Sequence, residues 1–354
     1  MLKTLGRSVI AGGRTLERVS LRNYRAAVLK AVGESLVVDD LKSKTPRDDE
    51  VIEIKIVVAV ESAGFNHADI NMIDGKYHLR PVIPFVPGYE LAGCVKAVGS
   101  KVKRFKEGDR IMAVRTCGTG AFAEECVINQ DELIFNVPYS IDFDTAAALP
   151  VSYGSAYLAL KSMASQRRGH SVLVLTSRGT VGFAAIDLAQ NVFECKVFGA
   201  SDTEEKLEKL RQTGIQSTIN YTNGKMVSLI KKNTFGKGVD VVIDTVGGKP
   251  SLEALESLKN GGELISLGFS SGEIPTVSLL DLHRLQATVT GVWLGGRPHS
   301  EMESIMETIV GMVDEGYISC HIERKYALDD VNQCVADVGA GKIFGKAVIT
   351  MINK

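Results

Sequence analysis

No apolar stretch in this 354-residue chain approaches the length that crosses a bilayer, so no membrane-spanning helix is expected. Neither sign of charge dominates: 41 Lys and Arg face 42 Asp and Glu, a formal net charge of −1. Outside the N-terminal segment there is no basic stripe, and nothing calls for a nucleic-acid partner. Cysteine is sparse and scattered. The six (Cys94, Cys117, Cys126, Cys195, Cys320 and Cys334) contain no Cys-x-x-Cys pair, which excludes a zinc ribbon and offers no disulfide framework. They read as buried free thiols in a reducing compartment. No internal repeat and no low-complexity linker interrupts the chain.

What is present begins with an unusual front end. Lys3, Arg7, Arg14, Arg18, Arg22 and Arg25 face a single acid, Glu17, with Ser and Thr between them and Leu2, Leu5, Val9 and Leu16 available to one helical face. An Arg-rich, acid-poor amphipathic start is the pattern of a mitochondrial transit segment, here residues 1–24, and implies the matrix. Read instead as a plain basic tail, it would leave the protein cytoplasmic. Folded structure is expected from Tyr24 onward.

Residues 25–148 read as β-rich: Arg25–Leu29, Leu36–Asp39, an alternating run Glu50–Val60, Leu91–Gly99 and Asp109–Val114, punctuated by glycine turns. Many short strands of this kind suggest a barrel-like β domain. From 149 to 291 strand and helix alternate, with strands at Val172–Leu175, Cys195–Ala200, Ser217–Tyr221, Val239–Asp244, Gly262–Leu267 and Ala287–Gly291. Alternation predicts a doubly wound parallel sheet, so the class is α/β with two domains, and 35 glycines suit it. The tail carries an amphipathic helix, Met302–Glu315, and ends in a strand, Gly345–Ile349.

The most specific local feature is the turn after Val172–Leu175, where Ser177-Arg178-Gly179-Thr180-Val181-Gly182 opens a helix. A dinucleotide pyrophosphate needs backbone amides at a helix N-terminus and no side chain in its way. Gly179 permits the approach and Gly182 lets the helix pack on the strand, although Ser177 replaces the first glycine of the fingerprint. Asp202 has the spacing of an acid that binds the NAD ribose. Arg178, Ser201, Lys206 and Tyr221 could instead receive the extra phosphate of NADP. The residues by themselves leave both open.

Six segments carry a family resemblance: Asn23-Tyr24-Arg25-Ala26-Ala27-Val28, Gly64-Phe65-Asn66-His67-Ala68-Asp69, Pro87-Gly88-Tyr89-Glu90, Leu149-Pro150-Val151-Ser152-Tyr153-Gly154, Ala185–Phe193 and Asp244-Thr245-Val246-Gly247-Gly248. Through them the chain resembles the medium-chain dehydrogenase/reductase superfamily, and within it the zinc-free quinone oxidoreductase branch. The resemblance implies a GroES-like β-barrel domain (25–148, rejoined by 292–354), a Rossmann domain (149–291) and a homodimer joined through Rossmann sheet edges. It places Lys206 and Tyr221 where NADPH-using relatives hold the 2′-phosphate, and Ser201 where NAD-specific relatives carry an acid. NADPH is therefore expected, with NADH as the other possibility, and Arg178 is expected to offset Asp202.

Zinc enzymes of that superfamily carry a cysteine at the position of Asn66 and a histidine at that of Tyr89, so no metal is expected; His67 and Asp69 alone make no zinc site. Without a Lewis acid, the easier hydride acceptor is a quinone or an α,β-unsaturated carbonyl, which needs orientation and hydrogen-bond donors at its oxygen. Asn66 and Tyr77 suit that role. By the same alignment Ser152 and Tyr153 fall near the nicotinamide, Gly247, Gly268 and Phe269 end Rossmann strands at the edge where ligands bind, and Lys342 and Lys346 close over the cofactor. Trp293 either lines the cleft or packs. The expected activity is zinc-independent, NADPH-dependent reduction of a small electrophilic acceptor. The rivals are an enoyl-thioester reductase and a non-catalytic NADPH-binding protein such as a sensor or an RNA-associated factor.

Overall fold

Two patterns in the sequence produce two sheets. The computed structural model describes residues 23–43, 55–115, 119–161 and 169–351. The expected transit segment lies outside the described residues except for Asn23 and Tyr24, as do Cys117 and the first half of the run Glu50–Val60.

The short alternating runs give β1 (Asn23–Val28), β2 (Val37–Lys42), β3 (Lys55–Phe65), β4 (Glu90–Val98), β5 (Arg110–Val114), β6 (Glu125–Asn129) and β7 (Leu133–Asn136). β1 and β2 form an antiparallel pair, Val28 opposite Val37. The alternating strand–helix region gives β8 (Ser171–Leu175), β9 (Lys196–Ser201), β10 (Ser217–Asn220), β11 (Val239–Asp244), β12 (Leu258–Ser266) and β13 (Thr288–Gly291), and the tail gives β14 (Ile322–Ala327) and β15 (Lys346–Thr350). β14, β15, β3, β4, β5 and β7 lie side by side in a seven-stranded sheet completed by β6 on β3. The last strand is inserted inside it: β15 pairs antiparallel with β3, Ala347 opposite Phe65 and Thr350 opposite Ser62. This is the mixed, largely antiparallel GroES-like part.

The other sheet is parallel throughout, in the order β10-β9-β8-β11-β12-β13. Counted along the chain that is 3-2-1-4-5-6, the Rossmann order. Its central strand explains the unbroken apolar run. Val172 and Val174 enter a core with Phe183, Ala185 and Met302, while Leu173 and Leu175 enter a second core with Phe198, Ile219 and Val242. Both faces are covered, as parallel sheets require.

The longest helix among the described residues was not anticipated. Phe143–Lys161 spans 19 residues with Pro150 inside it, and the expected junction at 148/149 falls in its interior. It packs against β3 and β4 and also against the helices Thr180–Asp187 and His299–Asp314. It is thus the shared wall between the two sheets.

Candidate active site

The carboxyl ends of the parallel strands converge on one edge, where open α/β sheets bind ligands. β8 leads through Thr176 to Gly179, at φ +81°, and into the helix Thr180–Asp187. The first-turn amides of Thr180, Val181 and Gly182 have no carbonyl of their own helix to bond. A Cβ on Gly182 would sit 2.3 Å from Thr176 Oγ1, so this glycine serves helix-on-strand packing. Gly179 has a different neighbour from the one expected. A Cβ there would lie 2.6 Å from Gly345 N and 2.7 Å from the Phe344 carbonyl carbon. The close approach it permits in this structure is to the chain's own C-terminal segment.

Beside the turn, Ser201 ends β9 with its hydroxyl 3.2 Å from Asp202 Oδ1. Lys206 Nζ donates to both Asp202 oxygens, at 2.8 and 3.0 Å. Arg178, expected to offset Asp202, instead directs Nη1 to the carbonyls of Val338 (2.6 Å) and Gly339 (2.7 Å). Burial lowers its pKa, which Asp202 partly counters. Tyr221 is buried within hydrogen-bond reach of Ser177, and burial followed by Asp202 pushes its phenol up. Ser177 Oγ also meets Ser270 Oγ at 2.6 Å. The expected phosphate-binding residues do gather, but Lys206 reaches Asp202 first.

At the other end, Gly247 (φ +79°) follows β11, its amide held by Asp244 Oδ1 at 3.1 Å. A Cβ on Gly268 would meet only Thr245 O, at 3.9 Å, so the backbone there is open, and Phe269 beside it is exposed. Ser152 lies buried in the long helix and spends its hydroxyl on Ala148 O.

The largest departure concerns the lysines. Lys346, expected to close over cofactor, is 1% exposed. Its Nζ donates to Glu90 Oε1 and, at 2.8 Å, to Asn66 Oδ1. Asn66 Nδ2 donates to the same Glu90 oxygen at 2.8 Å, and Glu90 Oε2 accepts the Val151 amide at 2.7 Å. Lys346 is therefore a strut under Asn66. A buried ammonium is tolerated because a carboxylate faces it. Lys342 turns to Asp337, 3.3 Å away. Asp69 is fully buried and accepts the Asn66 amide at 2.7 Å. Burial pushes its carboxyl up to about 8, against hydrogen bonds from the Asn66 and Tyr89 amides.

From Tyr89, next in the chain to Glu90, an aromatic row begins. Tyr77 meets Tyr89 edge-on at 5.8 Å and His78 at 4.2 Å, and His78 meets Trp293 edge-on at 5.0 Å. Trp293 lies just past β13, so the row joins the two sheets. Glu90 and His78 were given no role from sequence. The Pro-Gly-Tyr-Glu segment was the available signal for Glu90; His78 had none.

Comparison with known proteins agrees with this geometry. Residues 53–139 match the alcohol dehydrogenase GroES-like domain, and residues 180–311 match a family described as zinc-binding dehydrogenase. The quinone oxidoreductase-like protein 2 homolog of Nematostella vectensis is 37% identical, over 99% of this chain and 96% of that protein. Quinone oxidoreductase-like protein 2 of Bos taurus is 35% identical, over 96% and 99% respectively. The crystal structure of Escherichia coli quinone oxidoreductase complexed with NADPH superposes with a TM-score of 0.82 at 26% identity, covering 93% of this chain and 99% of that one.

Proposed function

The chain belongs to the medium-chain dehydrogenase/reductase superfamily, among the quinone oxidoreductase-like 2 proteins, and from that premise we propose that it is an NADPH-dependent reductase passing hydride to a quinone or an α,β-unsaturated carbonyl without zinc. One observation carries the reading. The Lys346 ammonium already sits between Asn66 and Glu90, so the cation of this cleft is the chain's own. A metal brought to the same two groups would meet its repulsion.

The residues present fit the cofactor. The orphan amides at Thr180–Gly182 suit a pyrophosphate, and Ser201, Lys206 and Tyr221 suit a 2′-phosphate once Lys206 is shared with Asp202. When bound, NADPH supplies the hydride. Lys346, by donating to Oδ1, polarises the Asn66 amide and strengthens its N–H as a donor. The second Nδ2 hydrogen is held only by Gly64 O at 3.5 Å, which leaves a donor for the acceptor oxygen as it gains charge. The Tyr77 hydroxyl is the second donor. Hydride delivers two electrons, and one proton from solvent completes hydroquinone or saturated carbonyl.

The reading includes a homodimer formed through β13, an edge strand with Val289, Leu279, Leu280 and Ile274 exposed around it. The Arg-rich, acid-poor residues 1–24 support a mitochondrial destination. No helix among the described residues is long and apolar enough to cross a membrane.

The test is a titration of both reduced nicotinamides followed by an acceptor screen with a chelator present. NADPH binds, and quinones or enones turn over in chelator. Lys206→Ala weakens NADPH by roughly 10- to 100-fold, the worth of one charge-assisted hydrogen bond, and NADH far less. Equal losses for both nicotinamides count against the phosphate assignment. Turnover that dies on chelation, or that is confined to acyl-thioesters, defeats the reading.

A further inference from the structure

A cavity lies apart from the cleft. It opens beside the far half of the helix Thr180–Asp187, about two turns from the amides at its start. The end of the helix Glu204–Arg211 and residues 319–323, which lead into β14, complete its walls. Its lining shares no residue with the turn at 177–182 or with the cluster around Asn66. The volume is about 540 Å³, within the range of small-molecule sites. Past Asp187 the helix widens, Phe193 N bonding Leu188 O five residues back at 3.0 Å. Widened turns of this kind are frequent at functional sites, and this one carries Gln190 and Asn191 to the cavity.

The charges that line the cavity are unevenly matched. Glu323 accepts from Lys209 at 2.7 Å and meets His321 Nε2 at 3.1 Å, so both bases serve one acid. Asp187 has neutral partners only. Its Oδ2 meets the Tyr153 hydroxyl at 2.7 Å and accepts the Ser319 amide at 3.0 Å, and its Oδ1 accepts Asn191 Nδ2 at 2.7 Å. No cation among the described residues pairs with it. A carboxylate oxygen has room for about two hydrogen bonds, so Oδ1 keeps one place. Gln190 lies three residues on, on the same face of the helix, and its side chain makes no hydrogen bond among the described residues. Phe183, Ile186 and the Tyr153 ring supply the apolar lining beside these groups.

We propose that this cavity binds a small organic cation: a primary ammonium on an aromatic or short apolar body. The ammonium donates to Asp187 Oδ1 and to the Gln190 amide oxygen, and the body lies against Phe183 and Ile186. An anion of the same shape would face two carboxylates with both bases already engaged. A neutral ligand would leave Asp187 without a counter-charge. The walls are fixed by the rest of the fold, so binding orders little: His321 O accepts the Lys346 amide at 3.0 Å, and Phe183 packs edge-on against Phe344 at 5.1 Å. The site does not rest on the reductase reading.

Titration calorimetry of the full chain near neutral pH compares 2-phenylethylamine, 2-phenylethanol and phenylacetate, which share a ring and a chain and differ in charge. The amine binds saturably, one per chain, and at least about tenfold tighter than either of the others, the worth of one charge-assisted hydrogen bond. Asp187→Asn brings amine and alcohol to within about threefold of each other. That change also touches Tyr153 and Ser319, so Gln190→Lys is the second variant. Its tethered ammonium sits beside Asp187 and abolishes amine binding, while no hydrogen bond of the fold is lost. Saturating NADPH leaves the amine affinity of the parent within about threefold. Absence of saturation with the amine, equal binding of the three probes, or amine binding that survives Gln190→Lys overturns the inference. Competition by NADPH places the probe in the cleft and overturns it as well. Amine binding in a chain that binds no NADPH keeps the cavity and removes the reductase.

Discussion

Asp69 sits in an environment that its type rarely tolerates. It is 0% exposed, held by backbone amides, and burial raises its carboxyl from 3.8 to about 8. A group whose folded-state pKa lies above its unfolded value binds its proton more tightly when folded. Its stabilising contribution is complete below about pH 4 and is lost as pH rises through about 8, with a slope of up to ~1.4 kcal/mol per unit. Asp69→Asn keeps an acceptor for the Asn66 amide but removes the titration. Denaturant midpoints measured from pH 4 to 8 should fall steadily in the parent and lie nearly flat in the variant. A parallel fall in both assigns the slope elsewhere.

At the scale of elements, the helix Phe143–Lys161 shows why part of the architecture was hidden. Twelve of its 19 residues are buried, so no polar face marks a 3.6-residue period, and Pro150 reads as a breaker. The proline survives because the following amide, Val151, is taken by Glu90. The strands were legible because their alternation and glycine turns are local, and so was the turn at Gly179. The support of Asn66 was not, since Lys346 lies 280 residues away and only the insertion of β15 beside β3 brings it there. Local pattern reveals which element a residue joins. It does not reveal which distant charge will be folded against it. The junction of helix and sheet gives a sharp prediction. A Cβ on Gly64 in β3 would lie 2.4 Å from Ala147 O and 2.5 Å from Glu90 Oε1. Gly64→Ala should cost about 1–3 kcal/mol through overpacking and should lower kcat as well, because displaced Glu90 no longer orients Asn66. A destabilised variant with unchanged kcat would mean that Asn66 does not depend on this support.

For the whole molecule, the question is what holds the two sheets together over the cleft. Besides the long helix and the aromatic row, one short turn supplies a cluster of contacts. Gly345 N donates to Arg178 O at 3.2 Å, Thr180 Oγ1 donates to Gly345 O at 3.0 Å, and Arg178 Nη1 bonds the carbonyls that end the helix Val331–Gly339. Those carbonyls lie at the negative end of the helix, so a guanidinium caps them well. The turn proposed to offer its amides to a pyrophosphate is thus the one that clamps the C-terminal segment. On the proposed reading, the clamp and the cofactor draw on the same six residues: Arg178 holds the C-terminal segment, whereas Lys206, now on Asp202, would receive the extra phosphate. The two cations should therefore separate in a binding experiment. Arg178→Met should weaken NADPH and NADH alike, by roughly tenfold, both charge-assisted bonds to the tail being lost in each case. Lys206→Ala should weaken NADPH selectively. A loss confined to NADPH in Arg178→Met would mean that the guanidinium leaves the helix carbonyls to bind phosphate, and that the clamp opens whenever the cofactor arrives.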